Sequence, residues 1–263
     1  MTTIYPDVNA RQKDYRSLRK GEVLVKSIFP TLQGEGPFAG QFAVFVRLAG
    51  CNLGMKESCP WCDTDFRLGH GALLSSKEVL LTANKKMLPY RTKLMVLTGG
   101  EPLLQNPYLL IATFLSDGWI VQIETNGYFW SDDLHMLSKS WKNKLVTVVS
   151  PKVNQRQEYP PIEGRLFYDS SCLKILLDAD PDSPYHHLPE YVDGYRAFKK
   201  PIYLSPIAIY KHTPTIEVPA SVWTEVSALD KDKCRRNYRY AADMAIKKGF
   251  QLSLQTHIFA ELE

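Results

Sequence analysis

Short apolar runs recur along this chain, separated by polar stretches that carry turn residues or helical signals. Residues 23–29, 42–48, 93–98, 119–124, 145–149, 172–177, 201–204 and 250–254 read as strands, bounded in most cases by Gly, Pro, Asn or Ser. Between them, Ser75 and Glu78 have the spacing of a capping box opening a helix that runs to about Met87. Asn106 and Pro107 predict a cap and a first-turn proline ahead of a helix over residues 108–116, and Ser131 with two aspartates starts another. The last helix, 230–248, has Cys234, Tyr238, Ala241, Ala242 and Ala245 as its buried stripe, with Gly249 just past its end. Repeated strand–helix units predict an α/β fold with a parallel sheet and helices outside it. Periodicity leaves open whether the sheet is flat or partly curled into a barrel.

Composition narrows the class. The chain has 263 residues, 44% hydrophobic and 23% charged, enough for one large core. Nothing resembling a linker divides it, so residues 23–263 are expected to form a single domain. Residues 1–22, with Arg11, Lys13, Arg16, Arg19 and Lys20, read as a polar N-terminal arm. A net charge of +4 does not make a nucleic-acid binder, though it suits an anionic ligand. No apolar run approaches the roughly 20 residues that a membrane span needs. The first residues lack a signal-peptide pattern, so a cytoplasmic location is expected, with no membrane partner.

Three of the five cysteines, Cys51, Cys59 and Cys62, fall within twelve residues directly after the 42–48 run. An odd, clustered set argues against a disulfide framework and for a metal. Three thiolates are one short of the four that close a structural zinc site or saturate a cubane cluster, which leaves a position for a ligand. The blander reading is a zinc knuckle with Asp65 or His70 as fourth ligand. It leaves a second pattern unexplained: Thr98-Gly-Gly-Glu101, Glu124-Thr-Asn126, Ser150-Pro-Lys152 and Leu204-Ser-Pro206 each follow an apolar strand. In a parallel sheet these ends share one edge with the cysteine loop, the edge where ligands bind. Gly99 and Gly100 would let backbone groups approach a ligand, Glu101 could accept from an ammonium, and Lys152 could pair with a carboxylate. Cys172 and Cys234 read as core.

At these residues the chain resembles the radical S-adenosylmethionine (SAM) enzymes, and within them the 7-carboxy-7-deazaguanine synthase family. The resemblance runs over nearly everything after residue 23. It rests on Leu32-Gln-Gly-Glu-Gly-Pro37, Phe45-Val-Arg-Leu-Ala-Gly-Cys51, Cys59-Pro-Trp-Cys-Asp-Thr64, Thr98-Gly-Gly-Glu-Pro102, Glu124-Thr-Asn-Gly127, Ser150-Pro-Lys152 and Gln255-Thr-His257, in family order. It implies a partial (β/α)6-type barrel of parallel strands with abbreviated helices. It implies a 4Fe–4S cluster on Cys51, Cys59 and Cys62, with SAM on the fourth iron.

By the same resemblance Trp61 lies beside the adenine, and Gly99, Gly100 and Glu101 meet the methionine amine. Asp63, Glu124, Asn126, Ser150 and Lys152 surround the ribose and carboxylate. Leu32, Gln33, Glu35, Arg47, Thr98 and His257 hold a pterin substrate, and Thr64 binds magnesium (Mg2+). The implied reaction, a carbon–nitrogen lyase step in 7-deazapurine and queuosine biosynthesis, turns 6-carboxy-5,6,7,8-tetrahydropterin into 7-carboxy-7-deazaguanine with loss of ammonia. An electron from a donor such as flavodoxin or ferredoxin cleaves SAM, and the 5′-deoxyadenosyl radical takes hydrogen from substrate C6. A homodimer is implied, and no direct nucleic-acid partner.

The chain departs from the common pattern in two places. Seven residues, 52–58, separate the first two cysteines where common members have three, and Ser205 stands where many carry glutamine. No SAM contact is therefore carried over to Ser205.

Other readings compete. An activating enzyme for a glycyl-radical partner would share the cluster and the Gly-Gly-Glu edge but has no need of Gln33 and Glu35. A zinc-stabilised nucleic-acid-binding protein would use Lys231, Lys233, Arg235, Arg236 and Arg239, which read more simply as a solvated helix face. Glu35 and Arg47 alone could be a structural ion pair, His257 a satisfied buried histidine, and His186-His187 a loop. At the chain's end Ile258, Phe259 and Leu262 should pack down, so the tail is expected to cap the substrate site with the Glu263 carboxylate near the pterin's amino group.

Overall fold

A computed structural model of the chain describes residues 15, 18–53, 59, 62, 71–90, 92–211 and 228–260, with the side chains of 257 and 258 excepted. Its frame is one sheet of nine strands: β1 (Glu22–Leu32), β2 (Phe42–Leu48), β3 (Ala72–Ser75), β4 (Leu94–Gly99), β5 (Ile120–Thr125), β6 (Leu145–Val149), β7 (Cys172–Leu177), β8 (Ile202–Pro206) and β9 (Gln251–Leu252). The spatial order is β3-β1-β2-β4-β5-β6-β7-β8-β9. From β2 to β9 every pairing is parallel, whereas β1 runs antiparallel to both β2 and β3. From β4 to β8 each new strand is added on the same side, the winding of a barrel rather than of a doubly wound sheet. The sheet stays open, with β3 and β9 at its two ends.

The helices are α1 (Ser76–Met87), α2 (Tyr108–Ser116), α3 (Asp132–Ser140), α4 (Gly164–Asp169), α5 (Tyr191–Arg196), α6 (Lys231–Lys248) and α7 (Thr256–Phe259). The capping box forms as expected: Glu78 N donates to Ser75 Oγ at 3.3 Å and Ser75 N to the Glu78 carboxylate at 2.8 Å. Asp230 caps α6, which ends at Gly249, and its exposed face carries the basic residues. Its buried stripe is Cys234, Asn237, Ala241 and Ala245, so Asn237 joins it while the expected Tyr238 and Ala242 are only half-buried. Asn237 is tolerated there because it donates to Ile207 O and accepts from Ala179 N.

Several elements differ from the sequence reading. Pro107, not Asn106, precedes α2, while Asn106 closes a 3-10 turn, Pro102–Gln105, in the left-handed conformation. β1 continues past residue 29 through Pro30, because β3 pairs only with residues 22–25 and leaves that part of β1 without a neighbour on one side. The short β3 carries no strong apolar signal, and α4 and α5 are six-residue helices with a glycine each. The expected 250–254 strand shrinks to two residues.

Two apolar clusters fill the space between sheet and helices. One joins β1, β2, β4 and β5 to α1 and α2 around Trp119 and Phe114, whose rings meet edge-on at 5.2 Å. The other joins β7 and β8 to α4, α5 and α6. Among the described residues no helix is long and apolar enough to cross a membrane. Ser75→Ala should remove one cap bond and cost about 1 kcal/mol of unfolding free energy, read as a lower denaturation midpoint at unchanged slope.

Candidate active site

Parallel winding brings the outgoing ends of β2 and β4–β8 to one edge, with Cys51 three residues beyond β2. β4 ends at Gly99, whose φ of +145° few side chains tolerate, and a Cβ there would lie 2.2 Å from Leu48 O. At Gly100 a Cβ would lie 2.2 Å from Gly50 O and 2.8 Å from Cys51 Cβ. The two glycines therefore let the backbone leaving β2 rest directly on the end of β4, and Glu101 N donates to Gly50 O at 2.9 Å. The close approach expected of a ligand is made first by the cysteine loop itself.

Glu101, expected to face an ammonium, is completely buried. Its Oε1 accepts from Leu103 N (3.0 Å) and Thr125 Oγ1 (2.8 Å), and its Oε2 from Asn126 N (2.7 Å). Burial pushes its pKa up to about 7, against the lowering effect of these bonds and of Lys152. Asn126 extends the chain of contacts, donating through Nδ2 to Asn52 Oδ1 at 2.8 Å. Glu101 and Asn126 thus tie the ends of β4 and β5 to the cysteine loop.

All five cysteines are free thiols, and Cys51, Cys59 and Cys62 are half-buried while Cys172 and Cys234 are buried. Cys62 N donates to Cys59 O at 3.0 Å, and Leu53 N to Cys51 Sγ at 3.4 Å. Burial pushes the Cys51 thiol up to about 11, so it keeps its proton until a metal displaces it. The half-buried Lys152 donates to Ser150 O (2.6 Å) and Oγ (2.7 Å) and interacts electrostatically with Cys51, Cys59 and Glu101. Desolvation pulls its pKa down to about 8, with Cys59 the largest opposing influence. Among the described residues no three His, Cys, Asp or Glu side chains are grouped as around a single metal ion. A cluster that brings its own sulfides needs soft thiolates set apart at one edge beside a compensating cation, and these residues fit it.

The face of the sheet away from the helix-side clusters carries the second half of the site. Glu124 Oε1 accepts from Gln33 Nε2 (3.0 Å) and Gln122 Nε2 (3.1 Å), and its Oε2 from Thr98 Oγ1 (3.0 Å). Glu124 therefore joins Gln33 and Thr98 rather than the residues beside the cysteines. Glu35 ion-pairs through Oε2 with Lys174 Nζ on β7, and Ser205 Oγ on β8 stands 3.4 Å from its Oε1. The Arg47 guanidinium, the alternative partner read for Glu35, lies 5.1 Å from the centre of the Phe29 ring. Gln122 Oε1, buried on this face, has no hydrogen-bond partner among the described residues, an acceptor that a bound donor would satisfy. Leu32 ends β1 and is 39% exposed.

The loop bearing Gln33 and Glu35 is held from the chain's end. Gly36 N donates to Ser253 Oγ at 3.1 Å, and Thr256 donates to Gly34 O through N and Oγ1, both at 3.2 Å. α7 thus begins against the loop, and the Phe259 ring packs 5.8 Å from that of Tyr238. Trp61, Asp63, Thr64, Asp65, His70 and Glu263, and the side chain of His257, lie outside the described residues. His186 stacks on Tyr240 at 4.6 Å, in keeping with a loop role. Sequence reasoning missed Lys174, Gln122, Asn52 and Tyr185, whose hydroxyl accepts from Val153 N and also bonds Cys59. The available signal was Lys174, the one polar residue in Cys-Leu-Lys-Ile-Leu-Leu.

An open sheet wound like a barrel, with a three-cysteine loop beyond one of its strands, is the radical SAM fold. The crystal structure of QueE from Escherichia coli matches 89% of this chain and 94% of its own, with a TM-score of 0.61 at 23% identity. No family model matches. A 7-carboxy-7-deazaguanine synthase from Rhodospirillum rubrum is 50% identical over 238 residues, 90% of this chain and 92% of that protein. Another of the same name, from Rickettsia prowazekii, is 32% identical over 254 residues, 94% of this chain and 93% of that protein. The chain belongs to the 7-carboxy-7-deazaguanine synthase family.

The glycine contacts give a test. Gly100→Ala should displace Cys51 and lower iron bound per chain after anaerobic reconstitution. Gly164→Ala, where a Cβ meets nothing within 4 Å, should leave iron unchanged. Full iron content in Gly100→Ala would show that the close approach is dispensable.

Proposed function

We propose that this protein is a radical SAM lyase that converts 6-carboxy-5,6,7,8-tetrahydropterin to 7-carboxy-7-deazaguanine with loss of ammonia. The observation that carries the reading is the pairing of two half-sites on one sheet. Three half-buried cysteines stand at its edge, and a hydrogen-bonding cluster of Gln33, Glu35, Thr98, Gln122 and Glu124 lies on its open face. Such a cluster suits a flat ligand rich in donors and acceptors.

In this reading Cys51, Cys59 and Cys62 hold a 4Fe–4S cluster. Trp61, Asp63, Gly99, Gly100, Glu101, Asn126, Ser150 and Lys152 surround SAM. With three donors already on its carboxylate, Glu101 acts mainly by holding β4, β5 and the cysteine loop in place. When bound, the cluster and SAM supply one-electron reduction and a radical able to remove a hydrogen atom from carbon. The chain's own share is orientation and exclusion of water. Gln33, Glu35, Arg47, Thr98, Glu124 and His257 fix the pterin, and the segment docked on Gly34 closes over it. Magnesium on Thr64, a substrate contact from the Glu263 carboxylate, a flavodoxin- or ferredoxin-type donor, a homodimer and a cytoplasmic location belong to the same reading, supported by the resemblance.

Anaerobic incubation of reconstituted protein with SAM, reductant, magnesium and the carboxytetrahydropterin should yield 7-carboxy-7-deazaguanine and ammonia. Cleavage of SAM without any change in the pterin would overturn the substrate assignment. Cys51→Ser, Cys59→Ser and Cys62→Ser should each lose cluster iron and SAM cleavage, whereas Cys172→Ser and Cys234→Ser should keep both. Thr64→Ala should weaken the magnesium dependence of turnover at intact cluster content, and an unchanged magnesium titration would remove Thr64 from the site.

A further inference from the structure

Every residue of β7 is buried, including Lys174 in its middle. A lysine in such a strand is costly to desolvate unless its charge is matched. Its ammonium pairs with Glu35 Oε2. Burial alone would lower the Lys174 pKa, yet the Glu35 carboxylate, and Glu124 after it, outweigh burial and hold it above the ordinary value. Glu35 lies on no strand: it follows β1 in the loop pinned by Ser253 and Thr256, and it directly precedes the 3-10 turn Gly36–Phe38. Backbone pairing in the sheet therefore does nothing to aim its carboxylate. Lys174 on β7 aims it through Oε2, with Ser205 on β8 donating to Oε1.

A buried ion pair gives little net stability over an apolar pair of the same size, so the fold alone does not require this one. A role in holding a ligand-facing carboxylate does require it. The pair also lies next to the other anion of the cluster, Glu124, which gathers Gln33, Gln122 and Thr98. One cation thereby serves two carboxylates presented on the same face.

We propose that Lys174 is the positioning residue of the substrate pocket, holding the Glu35 carboxylate where it accepts from the N–H edge of the bound pterin. The inference rests on the pterin reading of this pocket. Lys174 acts through Glu35 and does not itself touch the reacting atoms.

A double-mutant cycle in reconstituted full-length enzyme tests it. Lys174→Met should raise the pterin KM about 10- to 100-fold, the range for losing one charge-assisted hydrogen bond, with a smaller change in kcat. In a Glu35→Gln background, Lys174→Met should add little further, because the group it positions is already neutral. KM effects that multiply, or an unchanged KM in Lys174→Met alone, would overturn the role. Should Lys174→Met alone not fold, Glu35→Gln/Lys174→Met removes both charges of the ion pair and is compared with Glu35→Gln. Equal KM values support the inference, and a further large rise defeats it. A wild-type enzyme that does not convert the pterin removes the functional reading and this inference together, whereas a fault confined to the variants removes this inference alone.

Discussion

One buried carboxylate holds the reactive edge together. Glu101 gathers Leu103 N, Thr125 Oγ1 and Asn126 N, while its own backbone N–H binds Gly50 O. Those four bonds join the ends of β2, β4 and β5, three neighbouring strands whose sheet pairing stops at or near these residues. Where sheet bonding ends, backbone groups would otherwise go unsatisfied, which costs about 1–3 kcal/mol apiece when buried. The same residues then suspend the cysteine loop through Asn126 and Asn52. A group that looks from its motif like a cofactor contact is thus first the fastening that gives the loop a fixed origin.

Charge is laid out with matching care. Lys152 answers the cysteines and Glu101 at the edge, and Lys174 answers Glu35 and Glu124 on the open face. Lys174 and Glu124 lie within strands, whereas Glu35 follows β1 in a loop and Lys152 stands three residues beyond β6. Lys174 therefore links a strand to a loop by charge.

Most strands and the main helices could be read from period and caps. Phe42–Leu48, Tyr108–Ser116 and Leu145–Val149 stand where the apolar runs end, and Ser75, Ser131 and Asp230 cap the helices that follow them. The antiparallel edge was not legible, because Ala72–Ser75 becomes a strand only by pairing with residues 22–25. In the site, motif residues could be named but their partners could not. Glu124 belongs to the same Glu-Thr-Asn motif as Asn126, and nothing local says that its carboxylate turns to Gln33 and Thr98 across the sheet face. Lys174 was visible as an oddity in an apolar run, but its partner lies 139 positions away, beyond the reach of any periodicity.

The bonds that pin the Gln33–Glu35 loop join residues 217 and 222 positions apart. A ribosome adds roughly 5–20 residues per second, so the loop is made many seconds before Ser253 and Thr256 exist. The first strands can pair and bury their apolar faces during that interval, but the loop waits with its polar groups in water. The open face of the sheet is therefore the last part of the molecule to be completed. A chain stalled short of Ser253 could own a folded core and Cys51, Cys59 and Cys62 while its Gln33–Glu35 loop remained undocked.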